Sequence, residues 1–374
     1  MEMNMGNGRP DPVPIHCTSR RGRIARPAKA LKKGTAMNLE IAQSTPTGAA
    51  VAGIVSKAYS FGEVAECELL RRSFNQVYGL RFADGRRVVA RLSAERPRGA
   101  PKIEYEAALL GHLRARNVPV ANCLPTANGK VATMVTLPEG ERSLMLFEHL
   151  EGEMTGDDIP DVEAFGRGLA MFHDAAQDFV VTDSHYTLDL NYLLESPLRL
   201  LLTAPTMTEV LRAQFTGLGG RLHHRISSME GLTHVVCHGD SHGQNNFVSP
   251  GQNEERVASF FDFDDAGPGY LAFELAVYAW SLHPRSVSGQ LDEKALIRWQ
   301  HFIAAYNKVR PIPAADLQAI PSFMAVRHFW LLGEYAGRIP VWGSQAMPTA
   351  YLRKQVEMLT NWETLVIPES NLRP

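Results

Sequence analysis

Apolar and polar positions fall into two regimes along this chain. From about residue 60 to 150 the apolar residues come in short, loosely alternating runs, the spacing of strands. Phe74–Phe82 and Arg87–Leu92, joined by Ala83-Asp84-Gly85, predict a hairpin. Lys130–Leu137 and Ser143–Leu150 predict a second antiparallel pair. One helix interrupts them, from about Pro101 to Ala115, with an apolar stripe of Ile103, Ala107 and Leu110 that Leu113 adjoins. Past Glu151 the period lengthens to that of helices, over about 161–178, 206–229, 270–283, 290–308, 314–337 and 349–364. A short β insert at about 233–263 breaks the series. The pattern predicts an α+β chain of two lobes, a small β-rich one over 41–150 and a larger helical one over 151–374. Their junction falls near Glu148–Gly152.

Composition narrows the class. Of 374 residues, 45% are apolar and 21% charged, enough for a core and too apolar for wholesale disorder. No stretch approaches the roughly 18 unbroken apolar residues of a membrane helix. Cys17, Cys67, Cys123 and Cys237 lie far apart without a CxxC pair, so neither a zinc site nor a disulfide framework is expected. The simplest setting is cytoplasmic and thiol-reduced. A net charge of −2 gives no general footprint for nucleic acid. Residues 1–36 carry a net +6, several prolines and no apolar run of the kind a secretory signal needs, so residues 1–40 are expected to be a disordered basic tail. Met37 offers an alternative start.

The strongest chemical signal is His238-Gly239-Asp240-Ser241-His242-Gly243-Gln244-Asn245, after the strand-like Thr233–Cys237. A second apolar strand follows and ends in Phe261-Asp262-Phe263-Asp264-Asp265. Two strands that each deliver polar side chains at one end can gather Asp240, Asn245 and Asp262 at a single site. Phosphoryl transfer from ATP needs such a set: a carboxylate to orient the attacking hydroxyl and take its proton, and oxygen ligands to hold Mg²⁺ against the phosphates. An Asn amide oxygen ligates the ion without adding negative charge beside a polyphosphate.

HGDxxxxN followed by an apolar-DFD strand resembles the aminoglycoside phosphotransferase and choline kinase superfamily, whose fold is protein-kinase-like. Gly168-Leu169-Ala170-Met171-Phe172-His173 and Asp189-Leu190-Asn191 extend the likeness. Tyr306-Asn307-Lys308-Val309-Arg310-Pro311 and Arg327-His328-Phe329-Trp330 are similar to the homoserine-kinase-like and stress-response-kinase branch. The resemblance implies Asp240 as catalytic base, Asn245 and Asp262 as Mg²⁺ ligands and ATP as donor. It places Arg91 where the family has a phosphate-contacting Lys, and Glu106 as its partner. It implies a nucleotide loop around Asn75, without the GxGxxG of protein kinases. It also implies a hinge over Met145–Leu150 whose backbone, at Glu148 and Leu150, would bond adenine. His238 is expected to brace the loop, His242 to face substrate or to be structural, and Asp264 to assist the metal. Asp265 is expected to satisfy backbone donors in the turn before Gly267. Glu274 stands where the family commonly has Asp, which leaves its role open.

Residues 151–200 carry a net −9 and residues 284–374 a net +3. An acidic mouth steers cations, but the basic C-terminal part argues against a strongly polycationic antibiotic. A small amino alcohol or a hydroxy amino acid fits both, with Trp330, Tyr335 and Trp342 available for cation–π contacts. The sequence leaves open a Ser/Thr protein kinase of the stress-response type, an aminoglycoside phosphotransferase and a non-catalytic kinase-shaped module. A metallophosphoesterase, suggested by Gly239-Asp240-Ser241-His242-Gly243, lacks the further GDxxxRG and GNH[DE] elements in residues 246–374.

Overall fold

The computed structural model describes residues 39–363 and 365, except 95, 97, 181–183, 252–254 and 284–290. The basic segment 1–36 and Met37 lie outside the described residues. A compact body begins at Ile41.

Helix α1 (Gly48–Ala58) comes first, capped by the Thr47 hydroxyl on the Ala50 amide. Then follow β1 (Val64–Arg72), β2 (Gln76–Phe82), β3 (Arg87–Leu92), α2 (Ile103–Ala115), β4 (Cys123–Leu124), β5 (Thr133–Leu137) and β6 (Gly140–Glu148). These strands form one antiparallel sheet in the order β1-β2-β3-β6-β4, with β5 on β6. The hairpin register sets Gln76 opposite Leu92 and Arg81 opposite Arg87.

The sheet's period-2 alternation sorts side chains between two cores. Tyr78, Leu80, Val88, Ala90, Leu92, Leu144 and Leu146 pack under α1 in a small cluster. The intervening Met145 and Phe147 face the main core with Tyr105, Leu109 and Leu113 of α2. Arg91 is paired with Met145 and therefore shares this second face. The buried stripe of α2 is Tyr105, Glu106, Leu109, Leu110 and Leu113. Ile103 and Ala107, expected on that stripe, are only half-buried.

Beyond the sheet lie β7 (Glu153–Met154), α3 (Ile159–Ala175), a π-helical turn (Asn191–Glu195) running into α4 (Ser196–Leu201), and α5 (Glu209–Ser227). Next come β8 (His234–Cys237), β9 (Asn246–Pro250), β10 (Arg256–Phe260) and β11 (Gly267–Tyr270). The chain continues through α6 (Leu271–Leu282), α7 (Glu293–Val309), α8 (Ala314–Gly337), α9 (Ile339–Trp342) and α10 (Thr349–Trp362). Small antiparallel ladders, β10-β9-β7 and β11-β8, are set among the helices. Helix α3 lies on α7 and β10, while α4 and α6 lie on α8. A Cβ on Gly168 of α3 would press on the Phe260 ring and the Ala258 side chain, so this position needs a small residue. The molecule is thus a two-lobed, kinase-like α+β fold: a small antiparallel sheet lobe followed by a mainly helical part. Among the described residues, no helix is long and apolar enough to cross a membrane.

Candidate active site

Strand β8 delivers the loop His238–Asn245, whose start is tied down by its backbone amides and by the His238 and Ser241 side chains. Gly239 sits at φ +85°, and a Cβ there would run into the Asp265 carbonyl. The His238 and Gly239 amides donate to the two carboxylate oxygens of Glu274 at 3.1 and 3.0 Å, and Ser241 Oγ donates to the Glu274 carbonyl at 3.0 Å. Glu274 projects from α6 and is fully buried; burial pushes its carboxyl up, against the pull of His238 and these donors. The family-like position with Glu for Asp therefore anchors the loop.

His238 is also buried. Its Nε2 lies 3.0 Å from the Phe261 carbonyl, and its Nδ1 accepts the Asp240 amide at 3.3 Å, so Nε2 carries the proton. Its ring meets Phe263 at 4.3 Å, and Phe263 also meets Phe172 of α3. Next to Phe172, His173 contacts the Tyr306 hydroxyl through Nδ1 at 2.7 Å, and burial lowers it to about 3, helped by Arg310.

Asp240 and His242 on the same loop remain partly exposed. Asp240 keeps a fifth of its side-chain surface exposed. Its Oδ2 and main-chain carbonyl accept Asn245 Nδ2 at 3.2 and 3.0 Å. Its Oδ1 accepts Arg327 Nη2 from α8, with His242 Nε2 at 3.4 Å. Burial would raise the Asp240 carboxyl, but Arg327 and then His242 hold it well below the usual carboxylate range. His242 Nδ1 accepts the Gln244 amide, which fixes the ring edge toward Asp240.

The second loop leaves β10 and is tied to the first, because the Phe261 amide donates to the Asn245 carbonyl at 3.1 Å. Asp262 takes a left-handed backbone, φ +67°, costing a non-glycine residue about 1 kcal/mol or more. Its side chain is 38% exposed and lies 3.3 Å from Arg91 Nη1. Low-dielectric surroundings and the Asp264 charge push its carboxyl up. Arg91 and Glu106, both buried, form a two-pronged pair across the sheet and α2, with Arg91 Nη1 at 2.8 Å from Oε1. Phe147 stacks on the guanidinium at 5.0 Å.

Asp264 is tied to other partners. It accepts Asn75 Nδ2 at 2.7 Å and Arg96 Nη2 at 2.6 Å; burial would raise it, but Arg96 and Arg91 bring it to about 2. Asn75 spends its amide oxygen on the Ala94 N–H. Asp265, expected to cap backbone donors, instead takes Arg96 and Arg98, because both guanidiniums reach it in a dry setting. Glu148 ends β6, bonds through its amide to the Asn122 carbonyl and meets Arg114 at 2.9 Å on the surface. Leu150 follows the strand, half-buried against the main core.

The structure therefore gathers Asp240, Asn245, His238, His242, Asp262, Arg91 and Glu106 around two joined loops. Asn75 and Asp264 form a neighbouring knot. Glu148 and Leu150 stand apart at the end of β6. Arg96 and Arg98 escaped the sequence reading, and Arg327 entered it only as part of a resemblance. A charged residue inside the apolar run Ile320–Leu332 was the available signal.

A carboxylate held ionised beside an Asn amide and a second carboxylate, between a sheet lobe and a helical part, defines the class: a kinase-like phosphotransferase acting on alcohol groups. Residues 69–312 match the Phosphotransferase enzyme family, and the chain belongs to it. It is 35% identical to an uncharacterized protein of Deinococcus radiodurans over 317 residues, covering 84% of this chain and 89% of that one. Among solved structures, it resembles the microcompartment-associated aminopropanol kinase, with TM-score 0.67, 21% identity and coverage of 86% and 98%. An amicoumacin kinase in complex with AMP-PNP, Ca²⁺ and Ami is similar at TM-score 0.63 and 18% identity, covering 82% of this chain and 92% of that one.

Proposed function

We propose that the protein transfers the γ-phosphoryl group of ATP to the hydroxyl of a small alcohol, an amino alcohol or a hydroxy amino acid. The observation that carries this reading is the junction of the two loops, which sets Asp240, Asn245 and Asp262 side by side at the ends of β8 and β10. Asp240 is the base: it orients the acceptor hydroxyl and takes its proton as the new O–P bond forms. The bond from the γ-phosphorus to the bridging oxygen breaks, and ADP leaves with that electron pair. Arg327 and His242 keep Asp240 ionised for this task.

The donor set fits a hard divalent cation. Asn245 uses its Nδ2 on Asp240, which turns its amide oxygen away from that bond, and Asp262 is the most exposed carboxylate of the group. Among the described residues, no cluster of three or more His, Cys, Asp or Glu side chains would hold a metal. Two oxygen ligands suit Mg²⁺, which keeps waters and substrate phosphates as its remaining partners. Bound there, the ion would neutralise charge on the phosphates. Arg91, braced by Glu106, keeps Asp262 oriented. The half-buried segment at Glu148–Leu150 is the place for adenine, by likeness to kinase hinges. The similarity to aminopropanol and amicoumacin kinases supports a small acceptor.

Coupled-assay ADP release with a panel of small alcohols tests the reading. Wild type should consume ATP only when an acceptor and Mg²⁺ are present, and Asp262→Ala should lose at least about 100-fold while raising the Mg²⁺ requirement. Near wild-type turnover in Asp262→Ala would sink the metal assignment.

A further inference from the structure

Arg327 is unusually placed for a residue beside a catalytic carboxylate. It sits within α8, and its side chain is 3% exposed. One nitrogen, Nη2, donates to Asp240. Nε and Nη1 are buried and find no hydrogen-bond acceptor among the described residues. Leaving such donors unpaired in a dry site costs stability, more so when they belong to a cation.

Two indoles hold the guanidinium in place, Trp330 at 4.3 Å and Trp280 at 5.0 Å from its centre. Stacking of this kind fixes the plane of an arginine while leaving its N–H edge unspent. Arg98, from the segment before α2, meets the same Trp330 at 5.8 Å, and its Nε is also buried without an acceptor among the described residues. Glu334 Oε2 is a buried acceptor without a hydrogen bond, but it lies beside Arg96, so at Arg327 this wall of the site is short of acceptors among the described residues. An acceptor-only anion would complete it.

The position of the shortfall decides which anion. Asp240 divides its carboxylate: Oδ2 faces Asn245, on the side assigned to metal and phosphates, while Oδ1 faces Arg327 and His242. Arg327 therefore stands on the opposite side of the base from the nucleotide phosphates. Asp240, a fifth of whose side chain is exposed, stands where the two meet.

We propose that Arg327 binds the carboxylate of the acceptor, so that the preferred substrate is a hydroxy acid rather than a simple amino alcohol. The inference rests on the phosphotransferase reading, with Asp240 as base. Because Arg327 touches that base, hydroxyl and carboxylate must be joined by a short carbon chain. An amine on the same carbon as the carboxylate is compatible, and makes hydroxy amino acids members of the class.

Matched pairs differing only by the carboxylate test the assignment: serine against ethanolamine, homoserine against 3-aminopropan-1-ol, threonine against 1-aminopropan-2-ol. The full-length enzyme with Mg²⁺-ATP should favour the acid of at least one pair by about tenfold or more in kcat/KM. Calorimetry with AMP-PNP present should show the same order in binding. Because Arg327 also holds Asp240, Arg327→Lys and Arg327→Gln should lower kcat on both members of a pair alike; the discriminating readout is KM, which should rise about tenfold for the acid and less than about threefold for its decarboxylated partner, with KM for ATP unmoved. Two substitutions are used because the neutral one alone can unsettle the fold; Arg327→Lys keeps the charge and loses the planar fork.

Equal or better binding and turnover of the decarboxylated member in every pair overturns the proposal. So does a rise confined to KM for ATP, which would give Arg327 to the nucleotide phosphates. A wild type that neither binds AMP-PNP nor consumes ATP with any acceptor refutes the phosphotransferase reading itself, which is a distinguishable result.

Discussion

The two sides of the His238–Asn245 loop are built on opposite principles. On the inner side, His238, Gly239 and Ser241 all end on Glu274, and His238 is also held by the Phe261 carbonyl and the Phe263 ring. On the outer side, Asp240 is partly exposed, and its partner Arg327 has two nitrogens without acceptors among the described residues. A closed polar network rigidifies, whereas an incomplete one is costly. Holding the loop from behind lets its front remain unsatisfied without wandering, the condition for positioning a hydroxyl to within a fraction of an ångström. Asp262 repeats the theme, with a strained backbone on a loop fastened by the Phe261 amide.

If that division holds, a change at the front should cost turnover far more than stability. Asp240→Asn removes the proposed proton acceptor and should lower kcat by about 10³-fold on whichever acceptor is found. The amide oxygen still accepts from Arg327, so unfolding free energy should fall only by about 1–2 kcal/mol. Urea titration beside steady-state kinetics reads both. Loss of both in proportion would erase the distinction between the two faces.

Much of this front was legible in the sequence, because its chemistry is local. Asp240 and Asn245 lie within one loop, Asp262 follows an apolar strand, and each is a polar residue at the end of an apolar run. The fold class was legible for a similar reason: the change from short alternating runs to helical periods is visible without tertiary information. What the pattern hides is pairing between distant segments. Arg96 and Arg98 reach Asp264 and Asp265 across about 170 positions, and nothing near either partner announces the other. Strand β1 was missed because Val64–Arg72 is charged and mostly exposed, so it lacks the alternation of a half-buried strand. Helix α1 was missed because its buried side is narrow, only Val51 and Val55. Glu106 lay one step off the expected stripe of α2; Arg91 makes its burial tolerable.

The inner face should respond in the opposite way. Glu274→Ala leaves the His238 and Gly239 amides buried without acceptors, each costing about 1–3 kcal/mol, and should lower stability by about 3 kcal/mol in urea titration. Activity should fall with it, by about tenfold, because the loop loses its anchor rather than its chemistry. A Glu274→Asp variant shortens the reach by one methylene and should recover part of both. A variant that lost turnover about 10³-fold at unchanged stability would place Glu274 among the reacting groups instead.

Ser241 offers the finest division, since it follows Asp240 directly yet turns inward. Its side chain is buried, and its hydroxyl donates to the Glu274 carbonyl at 3.0 Å. That carbonyl belongs to α6 and retains its place in the helix when the hydroxyl is removed, so Ser241→Ala leaves no acceptor stranded. The expected cost is therefore the net value of one hydrogen bond, about 1 kcal/mol, with kcat and KM changed less than about threefold. Chemical denaturation and initial rates on one preparation are sufficient to measure it. A fall of 100-fold in kcat with an unchanged denaturation midpoint would show that neighbouring side chains on this loop do not divide between holding and reacting, and that the hydroxyl belongs with Asp240.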